Sequence, residues 1–360
     1  MFRSMSRLLS WFWFGIIVLH DVGTWPRTLS LGYTLGHAGR NPWLFPFCRL
    51  LYTHMVTPSM TLRFDPQFRS GLISLILIGI TVLTPGPIAA EGSQPLAELA
   101  GHLSAIATLG RPSPTISIPA GWFSMGTNRI DDDPYGLGTQ FDNTELPQRQ
   151  VWLDAFAIDR DEVSIAEYLA LLEHRHRQPP DQLSRLIWHI ITVHFMPDQV
   201  IASWPVLYVT WSEASEFCSA HGKRLPTEAE WEKAARGNDG NLFPWGLTAP
   251  APGLAVFGQY HVHEIPLVAA VNSGEEGQSP FGVRHMAGNV AEWVQDWFGF
   301  DYYSIMPERN PKGPNTGRYK SVRGGSWKSH PNLLRTPSRN GAVPDQRSAT
   351  IGFRCAQSNQ

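Results

Sequence analysis

Lys223-Arg224-Leu225-Pro226-Thr227-Glu228-Ala229-Glu230-Trp231-Glu232 carries the start of a helix in which every local preference agrees. Thr227 and Glu230 form a capping box, the hydroxyl and carboxylate each satisfying a free N–H group of the first turn. Acidic residues fill that turn, Lys233 and Arg236 fill the last, and Gly237 follows, all matching the helix dipole. These residues specify a stable helix, not chemistry, and Glu228, Glu230 and Glu232 read as cap and surface residues rather than acid/base groups. Upstream, Trp204 to Trp211 leads into a helix read as capped by Ser212, with Ala214, Phe217, Cys218 and His221 on one side and Gly222 as its stop. Ser164-x-x-Glu167 opens another, with Ile165, Tyr168, Leu169 and Leu172 as its apolar face, ending near Arg177 before Pro179-Pro180. Residues 178–203 look like an insertion. His189 and His194 lie in it, five apart, and read either as a metal pair or as core or surface histidines. Nearer the N-terminus, Ile116 to Gly126 predicts a strand and hairpin around Pro119-Ala120-Gly121, and Gln150 to Ile158 a strand. Asp131-Asp132-Asp133 opens a polar loop that is either a cation site or solvated surface.

Four more short motifs follow: Pro244-Trp245-Gly246, Gly288-Asn289-Val290-Ala291-Glu292-Trp293, Arg323-Gly324-Gly325-Ser326-Trp327 and Gly352-Phe353-Arg354-Cys355. Beyond Gly237, Gly, Pro, Trp and Asn are frequent, so strands are short and the backbone needs side-chain hydrogen bonds, metals or disulfides to hold it. With the segment at 223–232, this ordered set resembles the formylglycine-generating enzyme family, also called the sulfatase-modifying factor family, over residues 114–357. The resemblance implies an α+β, C-type-lectin-like fold, loop-rich, with short strands and few helices.

It also implies an activity: oxidation of a client cysteine to formylglycine, with oxygen and a copper ion held by two thiolates. Soft thiolates select Cu(I), and an accessible low-pKa thiol can exchange with substrate. No cysteine lies between Trp327 and Arg354 here. Ser329 stands at the first thiol position, and His330-Pro331-Asn332-Leu333-Leu334 offers no second. Ala291 replaces a tryptophan that resembles part of the family's oxygen pocket. Copper bound in the family's thiolate mode is therefore not expected. Ser326, Ser329, His330 and Arg335 are the cleft candidates, with no catalytic role assigned to any. Arg323, Arg335, Arg339 and Arg354 line an anion-friendly cleft if unpaired and are scaffold if paired with Asp296, Glu292 or Asp345. Arg354 reads as scaffold, while Arg335 and Arg339 stay open.

The resemblance further implies a calcium set at His285, Gly288, Val290 and Glu292, in which His285 supplies nitrogen where hard calcium prefers oxygen. A second calcium position falls near 255–273, with Val256 at its asparagine. Independently, His261-x-His263 places two imidazoles on one face of a strand. With Glu264 or His285 nearby they make a candidate site for zinc, copper or iron.

Composition narrows the partners. Lys and Arg number 29 against 31 Asp and Glu, and no basic run marks a nucleic-acid surface. Near the N-terminus, Arg63 and Arg69 precede an apolar run, Gly71 to Leu83, and then Thr84 to Ala90, a pattern read as a signal peptide over 55–90 cleaved after Ala90. An uncleaved anchor is the alternative and the one route to a membrane, the run being shorter than the roughly 20 residues a span needs. Residues 1–54 read as a mis-called extension ahead of a start at Met55 or Met60, or else as a first apolar segment from Trp11 to Leu19. Residues 91–113 read as a linker with one weak helix, Pro95 to Leu109. Cys218 and Cys355 remain after cleavage. Export favours a disulfide between them, both match family positions that are bridged, and buried free thiols are the alternative.

The expected protein is periplasmic or secreted. In one reading it assists oxidative maturation of a protein or peptide client without the copper–thiolate site. In the other it is a non-catalytic lectin-like module presenting the 326–340 loop, with Trp327, His330, Asn332 and Arg335 as contacts. Formylglycine synthesis on sulfatases by another mechanism is a third.

Overall fold

A computed structural model describes residues 94–128, 143–260 and 264–358. The readings made on residues 1–90, on Asp131-Asp132-Asp133, and on His261 and His263 lie outside the described residues. No described helix is long and apolar enough to cross a membrane.

The chain opens with α1 (Gln94–Thr108). It packs on α2 (Ile165–His174), and its Ile106 is fully buried in the larger apolar cluster. Residues 94–108 are therefore part of the packed fold rather than a linker, because burying Ile106 and Ala107 ties the helix down. Strands β1 (Thr115–Ile118) and β2 (Gly121–Met125) flank the Pro-Ala-Gly turn but do not pair with each other. β2 pairs antiparallel with β3 (Arg149–Leu153), Trp122 opposite Trp152. β1 pairs with β4 (Phe156–Asp159), which in turn pairs with the C-terminal β9 (Ala356–Ser358). The turn thus passes the chain from one sheet to another, and the expected hairpin is absent. β9 closes the domain by returning the C-terminus to β4.

α2 starts at Ser164 with the predicted capping box and ends at His174, short of Arg177. The 178–203 segment folds as α3 (Asp181–His194) and α4 (Asp198–Ala202). In α5 (Trp211–Ala220) the cap is Thr210 rather than Ser212: its hydroxyl accepts from the Glu213 N–H, and the Glu213 carboxylate accepts from the Thr210 N–H. α6 (Glu228–Arg236) is capped by Thr227 and Glu230 as predicted. All nine of its residues are buried, so the surface role expected for Glu228 and Glu232 is wrong. Ion pairs in the interior replace the water those carboxylates would otherwise need.

After α6 regular structure thins. β5 (Ala291–Trp297), α7 (Tyr302–Ile305), β6 (Lys320–Arg323), β7 (Arg339–Ala342) and β8 (Ile351–Gly352) remain, the strands forming a sheet in the order β7-β6-β5-β8. Register places Arg323 beside both Glu292 and Arg339. That juxtaposition builds the candidate site. Cys218 of α5 is bonded to Cys355, 137 residues away, as the resemblance implied.

Candidate functional site

Beneath the glycine-rich loop lies a buried lattice of charge. Arg339 donates from Nε and Nη2 to the two oxygens of Glu228, at 2.6 and 2.9 Å. Arg323 donates to Glu228 and Glu232, both at 2.7 Å, and its second amino group also reaches the Thr336 carbonyl at 2.7 Å. Glu232 further accepts from the Gly126 N–H and from Arg236. Burial pushes the Glu228 carboxyl up, but the Arg339 and Arg323 guanidiniums overcome it and hold it at about 2. Asp296, fully buried beside this negative charge, is pushed up to about 8 by burial first and Glu228 second. It accepts from the Glu228 N–H at 2.9 Å, and its surroundings favour the neutral carboxyl.

A second knot holds the Gly288–Trp293 motif. Arg354 donates to both oxygens of Glu292 at 2.7 Å and to the carbonyls of Asp159, Arg160 and Arg284. Arg354 is scaffold, as expected. Arg335, left open by the sequence, pairs bidentately with Glu145 at 2.8 Å, and Arg339 is committed to Glu228. Both are scaffold by the test of pairing. Glu145 lies far from Arg335 in sequence, so no local signal announced the pair.

Two of the four residues of the calcium set, His285 and Glu292, are already engaged by protein groups. Glu292 carries the Arg354 guanidinium on both oxygens, and one of them also accepts from the Trp231 indole N–H at 2.9 Å. Its charge is neutralised, and three donors occupy most of its acceptor capacity. His285 is buried with Nε2 at 3.2 Å from the Ala270 carbonyl, and burial first, then Arg354, lowers its pKa to about 4. Val256, at the expected asparagine of the second calcium position, accepts through its carbonyl from the Asn289 N–H at 2.8 Å. That carbonyl lies so close that a Cβ on Gly288 would sit 2.4 Å from it, which explains why glycine with φ +79° stands there. Asn289 itself, fully buried, ties the Ala269 N–H to the Glu162 carboxylate. Glu162 follows Asp159, Arg160 and Asp161 in a charged stretch, so nothing local in the sequence marks it as buried.

Above the lattice a cleft of about 290 Å³ opens between the glycine-rich loop and β7. Ser326 and Ser329 line it, with Ala291, Ser338, Asn340, Gln346 and Thr350. The two candidate hydroxyls lie 3.3 Å apart, and Ser329 Oγ accepts from the Ser326 N–H at 2.9 Å. The loop turns tightly enough that a Cβ on Gly325 would lie 2.9 Å from the Leu333 carbonyl. His330 is not in the lining; its ring stacks at 6.1 Å on Tyr260. Trp327 is 2% exposed and donates to the Ala349 carbonyl, so it is core rather than a contact residue. The structure therefore keeps Ser326 and Ser329 in the cleft and removes His330 and Arg335 from it. Among the described lining residues the only ionisable side chain is Arg339, already paired. Larger cavities, of about 450 and 460 Å³, share Pro112, Ser113 and Glu167 and touch none of the four cleft candidates.

The motif order and this geometry agree with the comparisons. Residues 104–359 match the sulfatase-modifying factor enzyme 1-like domain, and the chain belongs to the formylglycine-generating enzyme family. It is 32% identical over 312 residues to the formylglycine-generating enzyme of Bos taurus, covering 69% of this chain and 76% of that one. Against the formylglycine-generating enzyme of Streptomyces coelicolor it is 31% identical over 331 residues, covering 77% and 96%. Among solved structures it is similar to PvdO from Pseudomonas aeruginosa, with a TM-score of 0.50 and 23% identity over 69% of this chain and all of that one, a likeness of fold.

Proposed function

We propose that this chain is an exported, client-binding member of the family, taking a segment of a protein or peptide into the 326–342 cleft without copper–thiolate chemistry. The observation that carries this reading is the lining: two serines at 3.3 Å, small residues and neutral amides, with no histidine, carboxylate or thiol among the described lining residues. A serine hydroxyl is a weak nucleophile without a base in hydrogen-bond reach, and a hydroxyl is a poor ligand for Cu(I). The lining suits recognition instead. β7 is an edge strand of its sheet and borders the cleft, so an extended client segment can pair along it while Ser338, Asn340 and Gln346 offer polar partners. Ala291 leaves open the space where the family resemblance places a tryptophan. A periplasmic or secreted location belongs to the same reading, the Cys218–Cys355 bond being suited to an oxidising compartment. Oxidative maturation of the client is the second reading, supported by kinship with enzymes named for formylglycine generation. It requires an oxidant-binding group that the cleft lining does not supply.

The test has two arms. A Cys-x-Pro-x-Arg peptide incubated with the chain, copper and oxygen is expected to keep its mass, and conversion to the aldehyde overturns the non-catalytic reading. Peptides selected from a display library on the wild-type chain are expected to lose binding in Ala291→Trp, which fills the cleft. Undiminished binding in that variant, at an unchanged melting temperature, sinks the cleft as the binding site.

A further inference from the structure

The 178–203 segment is unused by the cleft, and none of its residues lines it. At the C-terminal end of α3 three metal-binding side chains converge. His189, His194 and Glu264 each bring one ligand atom to within 4.8 Å of the other two. The two imidazole rings meet edge to face at 5.3 Å. His194 Nε2 lies 3.6 Å from a Glu264 oxygen, too far for a hydrogen bond. That nitrogen is otherwise buried and has no hydrogen-bond partner. A buried polar nitrogen left unpaired costs free energy, and such a group calls for an explanation.

We propose that His189, His194 and Glu264 form a binding site for a borderline divalent transition ion, with zinc as the fitting representative. Metal–ligand bonds of about 2.0–2.1 Å at tetrahedral angles separate ligand atoms by roughly 3.3 Å. The 3.6 Å gap between His194 and Glu264 is close to that spacing, and the 4.8 Å outer limit closes by small side-chain rotations. An ion between them supplies the partner that His194 Nε2 lacks and offsets the carboxylate charge. Two imidazoles and one carboxylate are a donor set for zinc rather than for calcium, which prefers an all-oxygen shell. Three protein ligands leave a fourth position for water or an external donor. The site lies on the exposed side of α3, where His189 and His194 are half-buried and Glu264 is exposed, so an ion can enter from solvent.

This site is independent of the cleft, and its test does not depend on client binding. The full chain is stripped with a chelator and titrated with zinc by calorimetry, with melting followed in parallel. One equivalent is expected to bind and raise the melting temperature. His194→Ala and Glu264→Gln are each expected to lose that equivalent and the shift, while His330→Ala, outside the cluster, keeps both. Should His194→Ala fold poorly without metal, Glu264→Gln, on an exposed side chain, still decides. No saturable binding to the wild type, or an equivalent retained in Glu264→Gln and His194→Ala, overturns the proposal.

Discussion

The floor of the cleft and its mouth lie a few residues apart in sequence and follow opposite rules. Below, Arg323 and Arg339 are sealed from water; Glu228 is shared between both guanidiniums and the Ser321 hydroxyl, and Glu232 between Arg323, Arg236 and the Gly126 N–H. At the mouth, Ser326, Ser329, Asn340 and Gln346 are neutral and only partly buried or exposed, apart from Ser326. Buried charges are costly unless every partner is present, so the floor tolerates little change. A neutral rim of serines and amides leaves stability almost untouched when it changes, and is where specificity can vary. The contrast explains how a hydroxyl such as Ser329 can stand at the rim while the arginines below it stay fixed.

The floor and its neighbouring knot break first. Replacing Arg354 by Met leaves Glu292 buried with its guanidinium gone and takes a donor from three carbonyls, of which that of Arg160 keeps the Arg284 N–H. Removing one partner of such a pair typically costs about 3–5 kcal/mol. Urea denaturation of Arg354→Met is expected to show a loss of that size or no folded state at all. A loss below about 1 kcal/mol would mean that the knot adds little beyond packing.

A pH series sharpens the comparison without removing any contact. Asp296 titrates at about 8 in the fold against 3.8 in the open chain, so the native state binds the extra proton between those values. Its contribution is complete below pH 3.8 and is lost as pH rises through 8. Glu228, held at about 2, and His285, held at about 4, have the opposite sign. Each contributes fully above its open-chain value, 4.5 and 6.5, and is lost as pH falls through its folded value. Between pH 6.5 and 8 only the first of these three acts. The melting temperature is therefore expected to fall across that window, and to fall less in Asp296→Asn, whose side-chain oxygen can still accept from the Glu228 N–H. An equal slope in the variant would show that Asp296 is ionised throughout.

What was legible in the sequence follows the same division. Capping boxes at Ser164 and Thr227 read correctly because their hydrogen bonds are local, spanning three residues. Thr210 was missed in favour of Ser212 although Glu213 stood three residues beyond it. Five motifs in order carried the fold, and the Cys218–Cys355 bond followed from family positions. The burial of α6 was illegible: a helix with Glu228, Glu232, Lys233 and Arg236 reads as a surface helix until Arg323 and Arg339, about a hundred residues later, are brought against it. His330 and Arg335 were placed in the cleft by proximity in sequence to the glycine-rich loop. The turn after Ser329 sends one onto Tyr260 and the other onto Glu145. Apart from the Thr210 cap, whose signal was local, non-local pairing decided these misses, and local spacing carries no information about it.

The smallest expected effect lies at the rim. In Ser329→Ala the Ser326 N–H loses the hydroxyl it donates to at 2.9 Å, in a cleft open to water. Water can take the vacated position, so the expected stability change is below about 1 kcal/mol, the scale of one solvent-accessible hydrogen bond. Client binding is expected to weaken more than folding does, because the lost hydroxyl faces the cleft. A variant whose binding is unchanged while its melting temperature drops sharply would invert that order. It would place Ser329 with the arginines below, as part of the scaffold, and would move the recognition surface toward the β7 edge.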